Sequence, residues 1–156
     1  MIEMERRLKA GREYLAALRK LGFNPDAVLW AGVGGIAAEG AMELLIVTTW
    51  ADNIGSKAVY DLLFEAYDAS ATPKEIDPFT VSLFSPQTQV AVDLSNAVKT
   101  IKSEQNPEIR PMIVLGMVDY YTIPSWIISY KVSKSTRFED ARKFHAFQRN
   151  VANLAA

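Results

Sequence analysis

A run of apolar residues in the first third of the chain limits its possible folds more than any other feature. Residues 44–50, with the sequence LLIVTTW, are apolar or β-branched at both odd and even positions. Successive side chains of a strand point to opposite faces of its sheet, so this run predicts a strand that is covered on both faces. We therefore expect residues 42–50 to form the centre of a sheet.

Four segments have the apolar periodicity of helices. The first spans residues 2–21, and the second spans about residues 54–69. The third is predicted to begin with Ser85 as its N-cap and Pro86 as its first helical residue, which are favoured positions for these residue types. The last begins at Thr136, where the sequence Thr-Arg-Phe-Glu fits a capping box.

Short β-branched and aromatic segments between these helices predict further strands. They lie at residues 27–31, 79–84, 112–119 and 125–132, which gives the order α-β-β-α-β-α-β-β-α. A chain of 156 residues buries about two-thirds of its unfolded surface, enough for one full core. We predict a single α+β domain over residues 1–156, with a mixed sheet of about five strands and helices packed on it. Its first and last strand pairs are expected to be antiparallel.

The composition excludes several kinds of chemistry. The chain has no cysteine and one histidine, which removes thiol nucleophiles, cysteine-based zinc sites and iron–sulfur clusters. No stretch approaches the ~20 apolar residues that span a bilayer, and residues 1–7 lack the apolar core of a secretory signal. We expect a cytoplasmic protein with no membrane partner, no metal and no cofactor.

Charge is distributed unevenly along the chain, although the formal net charge is −1. Residues 1–20 hold six basic and three acidic side chains, residues 21–100 hold three and ten, and residues 101–156 hold eight and five. We expect the basic ends to pack beside the acidic middle, either within one chain or between subunits of a homo-oligomer. The sequence pI near 5.9 argues against nucleic acid as a partner.

The glycine-rich stretch 29–38 has two interpretations. It looks like the fingerprint of flavin and nicotinamide dinucleotide-binding proteins, and Asp52 stands twenty residues after Gly32. However, Ala37 replaces the third glycine, and some nine residues before the next strand are too few for a crossover helix. We therefore favour a loop between two antiparallel strands, and we expect mobility around residues 32–41.

Two strand-to-helix junctions form the candidate ligand site. If strands 42–50 and 79–84 are parallel neighbours, the amino ends of the following helices converge and favour an anion or a phosphate. The alternative is that Asn53 and Ser85 only cap their helices. The predicted ligand-binding residues are Asn53, Gly55, Ser56, Ser85, Gln87 and Thr88.

The sequence offers no convergent set of reactive residues. His145 stands near Asp140 and Arg149 in the last predicted helix, but no nucleophile is near it, and a surface or structural role is expected. Our leading hypothesis is a non-catalytic domain that acts through protein–protein association as a homodimer. The alternatives are binding of a small anionic ligand or nucleotide at the junctions, and an enzyme of unidentified class with no catalytic residue assigned.

A loose resemblance covers roughly a third of the chain. Trp30 before the hairpin, the segment 45–48, Asp52, Gly55 and the segment 58–60 are similar to those of small uncharacterised bacterial α/β proteins. That group has no assigned reaction. The resemblance implies a small mixed α/β fold and no catalytic residue.

Overall fold

The computed structural model describes residues 2–34, 41–103, 112–132 and 134–154. The fold is α+β, as predicted, and these described segments contain four α-helices and a mixed sheet of six strands. The helices are α1 (Ile2–Leu21), α2 (Ser56–Asp68), α3 (Gln89–Ser103) and α4 (Arg137–Asn153). The strands are β1 (Ala27–Val33), β2 (Met42–Val47), β3 (Val81–Phe84), β4 (Ile113–Leu115), β5 (Tyr120–Thr122) and β6 (Ile127–Tyr130).

The strands lie in the order β3-β2-β1-β5-β4, and β6 pairs with β1 beside β5. Strands β2 and β3 are parallel, and the other pairs are antiparallel. Strand β2 has neighbours on both sides, but the central strand is β1, so the prediction for residues 42–50 is wrong in this detail. The unexpected sixth strand is β5, at residues 120–122, which we predicted to be a connection.

Strand β5 also changes the predicted pairing of the last two strands. It pairs with both β1 and β4, so β4 is separated from the segment 125–132. That segment contributes β6, which pairs with Ala27 to Leu29 of β1. The expected direct pair between residues 112–119 and 125–132 is therefore wrong, because the intervening residues are themselves part of the sheet.

Strands β1 and β2, which precede and follow the glycine-rich stretch, are antiparallel. Trp30 is opposite Leu44 and Gly32 is opposite Met42 in the β1–β2 ladder. A dinucleotide fingerprint requires a helix that crosses between parallel strands, so this pairing is incompatible with it. The prediction that the strands before and after this stretch are antiparallel is confirmed. Most of the segment expected to be mobile, residues 35–40, lies outside the described residues.

The core has two parts, one on each face of the sheet. Helices α1, α2 and α4 cover one face, where Leu44 and Ile46 of β2 are buried. Helix α3 covers the other face, where Leu45 and Val47 are buried. The prediction that this strand is covered on both faces is confirmed. Trp30 is also a buried sheet residue, and its indole N–H donates to the backbone oxygen of Arg7 at 2.8 Å.

Two glycines allow close approach between elements. A Cβ atom on Gly11 of α1 would overlap Ile128 and lie 2.9 Å from Nε1 of Trp30. A Cβ atom on Gly32 of β1 would overlap the ring of Tyr121. The absence of a side chain therefore lets α1 lie close to the sheet and lets the Tyr121 ring lie over β1.

The outer edge of β3 is closed by a side chain. The hydroxyl of Tyr60 in α2 donates to the backbone oxygen of Val81 at 2.7 Å and accepts from the backbone N–H of Leu83 at 3.0 Å. These backbone groups are otherwise free to pair with another strand. Tyr60 therefore takes the place of a neighbouring strand at this edge.

Candidate functional site

A cleft of about 510 Å³ lies beyond the carboxyl end of β2. Its wall includes Thr48 and Thr49 after β2, Asp26 before β1 and Lys131 after β6. The first turn of α4 contributes Asp140. The volume falls in the range of small-molecule sites, which is about 300–1,000 Å³. In α/β sheets, ligands commonly bind outside the carboxyl ends of strands.

Asp140 is the most buried charged residue of the cleft, with 1% of its surface exposed. Its Oδ2 atom accepts from the Thr49 hydroxyl at 2.6 Å and from the Asn53 amide at 2.7 Å. Its Oδ1 atom accepts from the Ser135 hydroxyl at 2.6 Å. One carboxylate thus joins the turn after β2, the loop before α4 and α4 itself.

The surroundings of Asp140 keep its carboxyl group ionised. Burial alone would raise the pKa of Asp140, but the hydrogen bonds from Ser135, Thr49 and Asn53 act in the opposite direction, and so does the nearby charge of Lys143. The net result is a pKa below the ordinary aspartate value. Because these donors occupy its oxygens, Asp140 is suited to positioning its neighbours rather than to accepting a proton.

Basic side chains from both ends of the chain reach this cleft. Arg19 comes from the last turn of α1, Lys131 follows β6, and Lys143 lies one turn after Asp140 in α4. The Arg19 guanidinium donates to Asn24 at 3.0 Å and to Ser129 at 3.3 Å. Since a guanidinium has five N–H donors, these bonds fix its position and leave further donors.

The charge of the cleft is positive among the described residues that line it. Three of these residues are basic, and the acidic ones are Asp26 and Asp140. The backbone oxygen of Asp26 accepts from the backbone N–H of Lys131 at 2.6 Å, which holds Lys131 beside the start of β1. The basic ends of the chain therefore meet residues of its acidic middle here.

A buried aromatic cluster supports the cleft from behind. Trp50 lines the cleft and stacks on Phe23, with ring centroids 4.3 Å apart. The Trp50 ring also meets Phe144 edge-on at 5.5 Å and Phe147 at 5.6 Å. Trp50 is thus a buried core residue, but it lies after β2, which ends at Val47, and not in the strand predicted over residues 42–50.

The two strand-to-helix junctions lie side by side, but only some of their predicted ligand-binding residues face each other. Strands β2 and β3 are parallel neighbours, which was the condition for that site. The Ser85 hydroxyl donates to the carboxylate of Asp52 at 2.6 Å, so the two junctions are in direct contact. Asn53 instead turns away to Asp140. The Asp52 carboxylate therefore lies at the junction, although Asp52 is not among the predicted ligand-binding residues.

The helix starts at the junctions differ from the predicted ones. A π-helical turn at Ala51–Gly55 precedes α2, whose first residue is Ser56. Neither Asn53 nor another side chain caps α2 at its N-cap residue, Gly55. Helix α3 begins at Gln89 rather than near Pro86.

Ser85 and Thr88 share the polar contacts that precede α3. The backbone N–H of Gln87 donates to the Ser85 hydroxyl at 3.1 Å, which forms a local turn. The Thr88 hydroxyl accepts from the Ala91 backbone N–H at 3.4 Å, the geometry expected of an N-cap. Ser85 is thus not the N-cap of α3, because its hydroxyl is used by the turn and by Asp52.

Comparison with protein-family models, curated proteins and solved structures finds no match.

Neither His145 nor the acidic side chains form a second candidate site in the described residues. His145 is exposed beside Phe138, Arg142 and Arg149, on a shallow surface away from the buried Asp140. Within residues 2–34, 41–103, 112–132 and 134–154, no three histidine or acidic side chains are grouped as metal ligands require. None of the helices in these segments is long and apolar enough to cross a membrane.

Sequence reasoning missed the residues that line the cleft. These residues come from three distant parts of the sequence, with Arg19 in the first, Thr49 in the second, and Lys131 and Ser135 together in the third, and they belong to no motif. Asp140 has one local signal, which is its position in the first turn of a helix that the Thr136 cap identifies. That position explains an acidic residue there but does not indicate its partners.

Proposed function

We propose that this chain is a binding domain that holds a small anionic molecule in the cleft beyond β2. The observation that carries this proposal is the convergence of Arg19, Lys131 and Lys143 on a cavity of ligand size. A concave site with a few placed polar groups is the usual form of a small-molecule site. Three basic and two acidic side chains line the cleft, so its net formal charge is positive.

The cleft is a better place for an anion than the junction predicted from the sequence. Asp52 lies at the junction and accepts from Ser85, so its carboxylate would repel an anion bound there. Asn53 contributes to the cleft indirectly, through its bond to Asp140. The other predicted ligand-binding residues do not line the cleft and have no role in the proposed site: Gly55, Ser56, Gln87 and Thr88.

Thermal unfolding with and without inorganic phosphate tests this proposal. A ligand at a hundred times its dissociation constant stabilises the folded state by about 2.7 kcal/mol. We expect phosphate to raise the unfolding temperature of the wild-type chain and to raise it less for Arg19→Ala and Lys131→Ala. Matched controls are Arg12→Ala and Lys99→Ala, which remove exposed charges elsewhere. Equal shifts in all variants, or no shift, would contradict the proposal.

A second function, association of two copies, is favoured by the β4 edge of the sheet. Strand β4 is last in the strand order, and no described strand pairs with its outer side. Apolar side chains are exposed along it and its turn: Val114 at 48%, Met117 at 82% and Val118 at 69%. We propose that a second copy pairs with this edge in antiparallel fashion. The uncharged edge would meet itself without like-charge repulsion.

Light scattering coupled to size-exclusion chromatography tests the association. We expect a dimer for the wild-type chain and a monomer for Val114→Lys, because a lysine on an edge strand opposes pairing with another edge. Val92→Lys is the matched control, since Val92 is similarly exposed at 41% but lies on α3. A monomeric wild-type chain, or a dimer that both variants retain, would refute the edge-paired dimer.

A further inference from the structure

Two hydroxyl groups that line the cleft, those of Thr49 and Ser135, have their hydrogen atoms committed to Asp140. Ionised Asp140 is only an acceptor, so Thr49 and Ser135 are the donors in their 2.6 Å bonds to it. A hydroxyl group has one hydrogen and two lone pairs. Each of these side chains therefore has acceptor capacity left for a ligand and no donor.

The basic residues have the complementary property. Arg19 and Lys131 have N–H donors and no acceptors at their side-chain ends. They reach the cleft from α1 and from the end of β6, whereas Thr49 and Ser135 surround the start of α4. A ligand that satisfies both groups carries an anion for the bases and hydrogen-bond donors for the hydroxyl oxygens.

The donor groups of the ligand are better uncharged than cationic. Lys143 lies close enough to Asp140 to lower its pKa, so a cation already interacts with this carboxylate. An ammonium group on the ligand would meet the like charge of Lys143. Neutral hydroxyl groups can donate to Thr49 and Ser135 without that repulsion.

We propose that the cleft binds a hydroxylated anion, such as a phosphorylated or carboxylated polyol, with its anionic group towards Arg19 and Lys131 and its hydroxyl groups towards Thr49 and Ser135. This inference rests on the proposed anion-binding function and narrows its ligand class. The hydroxyl groups supply the specificity, because a site that has polar groups for a substrate hydroxyl discriminates against an analogue without one.

Isothermal titration calorimetry with matched ligands tests the inference. Glycerol 3-phosphate and propyl phosphate have the same carbon chain length and anion but differ in two hydroxyl groups. Gluconate and hexanoate form the same comparison for a carboxylate, and the tighter of the two hydroxylated ligands identifies the anion. We expect the hydroxylated member of the preferred pair to bind at least about tenfold more tightly, since 1.4 kcal/mol corresponds to a factor of ten.

A variant links this preference to the cleft. Ser135→Ala removes one acceptor but leaves Asp140 with two donors, so we expect the folded state to persist and the preference to fall several-fold. Ser125→Ala, at an exposed serine of the turn at Pro124–Trp126, is the control and should keep the full preference.

The outcomes separate the two proposals. If each pair binds with equal affinity, or if Ser135→Ala keeps the full preference, the hydroxylated-anion inference is wrong and the anion site stands. If none of the four ligands and no phosphate binds at millimolar concentration, the proposed function itself fails.

Discussion

The hydroxyl of Thr49 donates a 2.6 Å hydrogen bond to the carboxylate of Asp140, 91 residues further along the chain. This bond fastens the turn after β2 to the first turn of α4. Asn53 and Ser135 bind the same carboxylate, so a single charged side chain closes one end of the domain. The wall of the proposed ligand cleft is a direct consequence of this arrangement.

Replacement of Asp140 by asparagine should destabilise the fold. The asparagine amide brings N–H donors to a place where three donors already converge, so at least one buried bond is lost. Bonds to charged groups contribute about 1.5–3 kcal/mol each, and we expect a loss of about 2–3 kcal/mol. Urea unfolding at pH 7 measures it. Asp68→Asn, at an exposed position of α2, should change the free energy of unfolding little.

The contribution of Asp140 should depend on pH with a definite sign. Its pKa is lower in the folded state than the ordinary value of 3.8, so the folded state favours the ionised form. Its stabilisation is fully present above that ordinary value and is lost as pH falls through the folded pKa. Urea unfolding from pH 6 to pH 3 should show the difference between the wild-type chain and Asp140→Asn shrinking. A difference that grows on acidification would contradict the assigned direction.

Replacement of Tyr60 by phenylalanine should weaken the edge at β3. The variant leaves the Val81 oxygen and the Leu83 N–H without the hydroxyl that now satisfies both. We expect a loss of about 1–3 kcal/mol in the free energy of unfolding. Concentration-dependent association should also increase, because the freed edge accepts another strand. Sedimentation analysis measures the association, and a variant that is as stable as the wild-type chain and associates no further than it does would count against the edge-closing role.

Replacement of Tyr14 by phenylalanine should have the opposite effect. Tyr14 is fully buried, burial raises its pKa, and its hydroxyl has no hydrogen-bond partner among the described residues. Removal of an unsatisfied buried hydroxyl relieves a desolvation cost. We expect the free energy of unfolding to stay the same or to rise by about 1 kcal/mol. A marked loss in chemical denaturation would reveal a partner for this hydroxyl.

Replacement of Gly32 by alanine should crowd the sheet. The new methyl group would overlap the ring of Tyr121, and overpacking of this kind costs about 1–3 kcal/mol. In a Tyr121→Ala background the same change should cost much less, since the ring is gone. A double-mutant cycle of unfolding free energies measures the coupling. Additive losses would show that the ring moves aside.

Much of the fold was predictable because its signals are local. Apolar periodicity located α1, and the cap at Thr136 located the start of α4. The two-sided apolar run of β2 correctly predicted that this strand is covered on both faces. The start of α3 was not predictable from Ser85 and Pro86, because a contact with Asp52, 33 residues away, holds Ser85 in a turn.

The sequence by itself determined the α+β class, the four helices of the described segments and the antiparallel direction of β1 and β2, since each depends on side chains within a few residues of one another. Only the tertiary structure decided that β5 separates β4 from β6 and that Arg19, Lys131 and Asp140 share one cleft. These outcomes depend on contacts between segments that are distant in sequence: Tyr121 of β5 pairs with Gly32, 89 residues earlier, and Lys131 lies 112 residues after Arg19. Apolar periodicity and helix caps do not indicate such contacts, because the packing of the whole chain sets them.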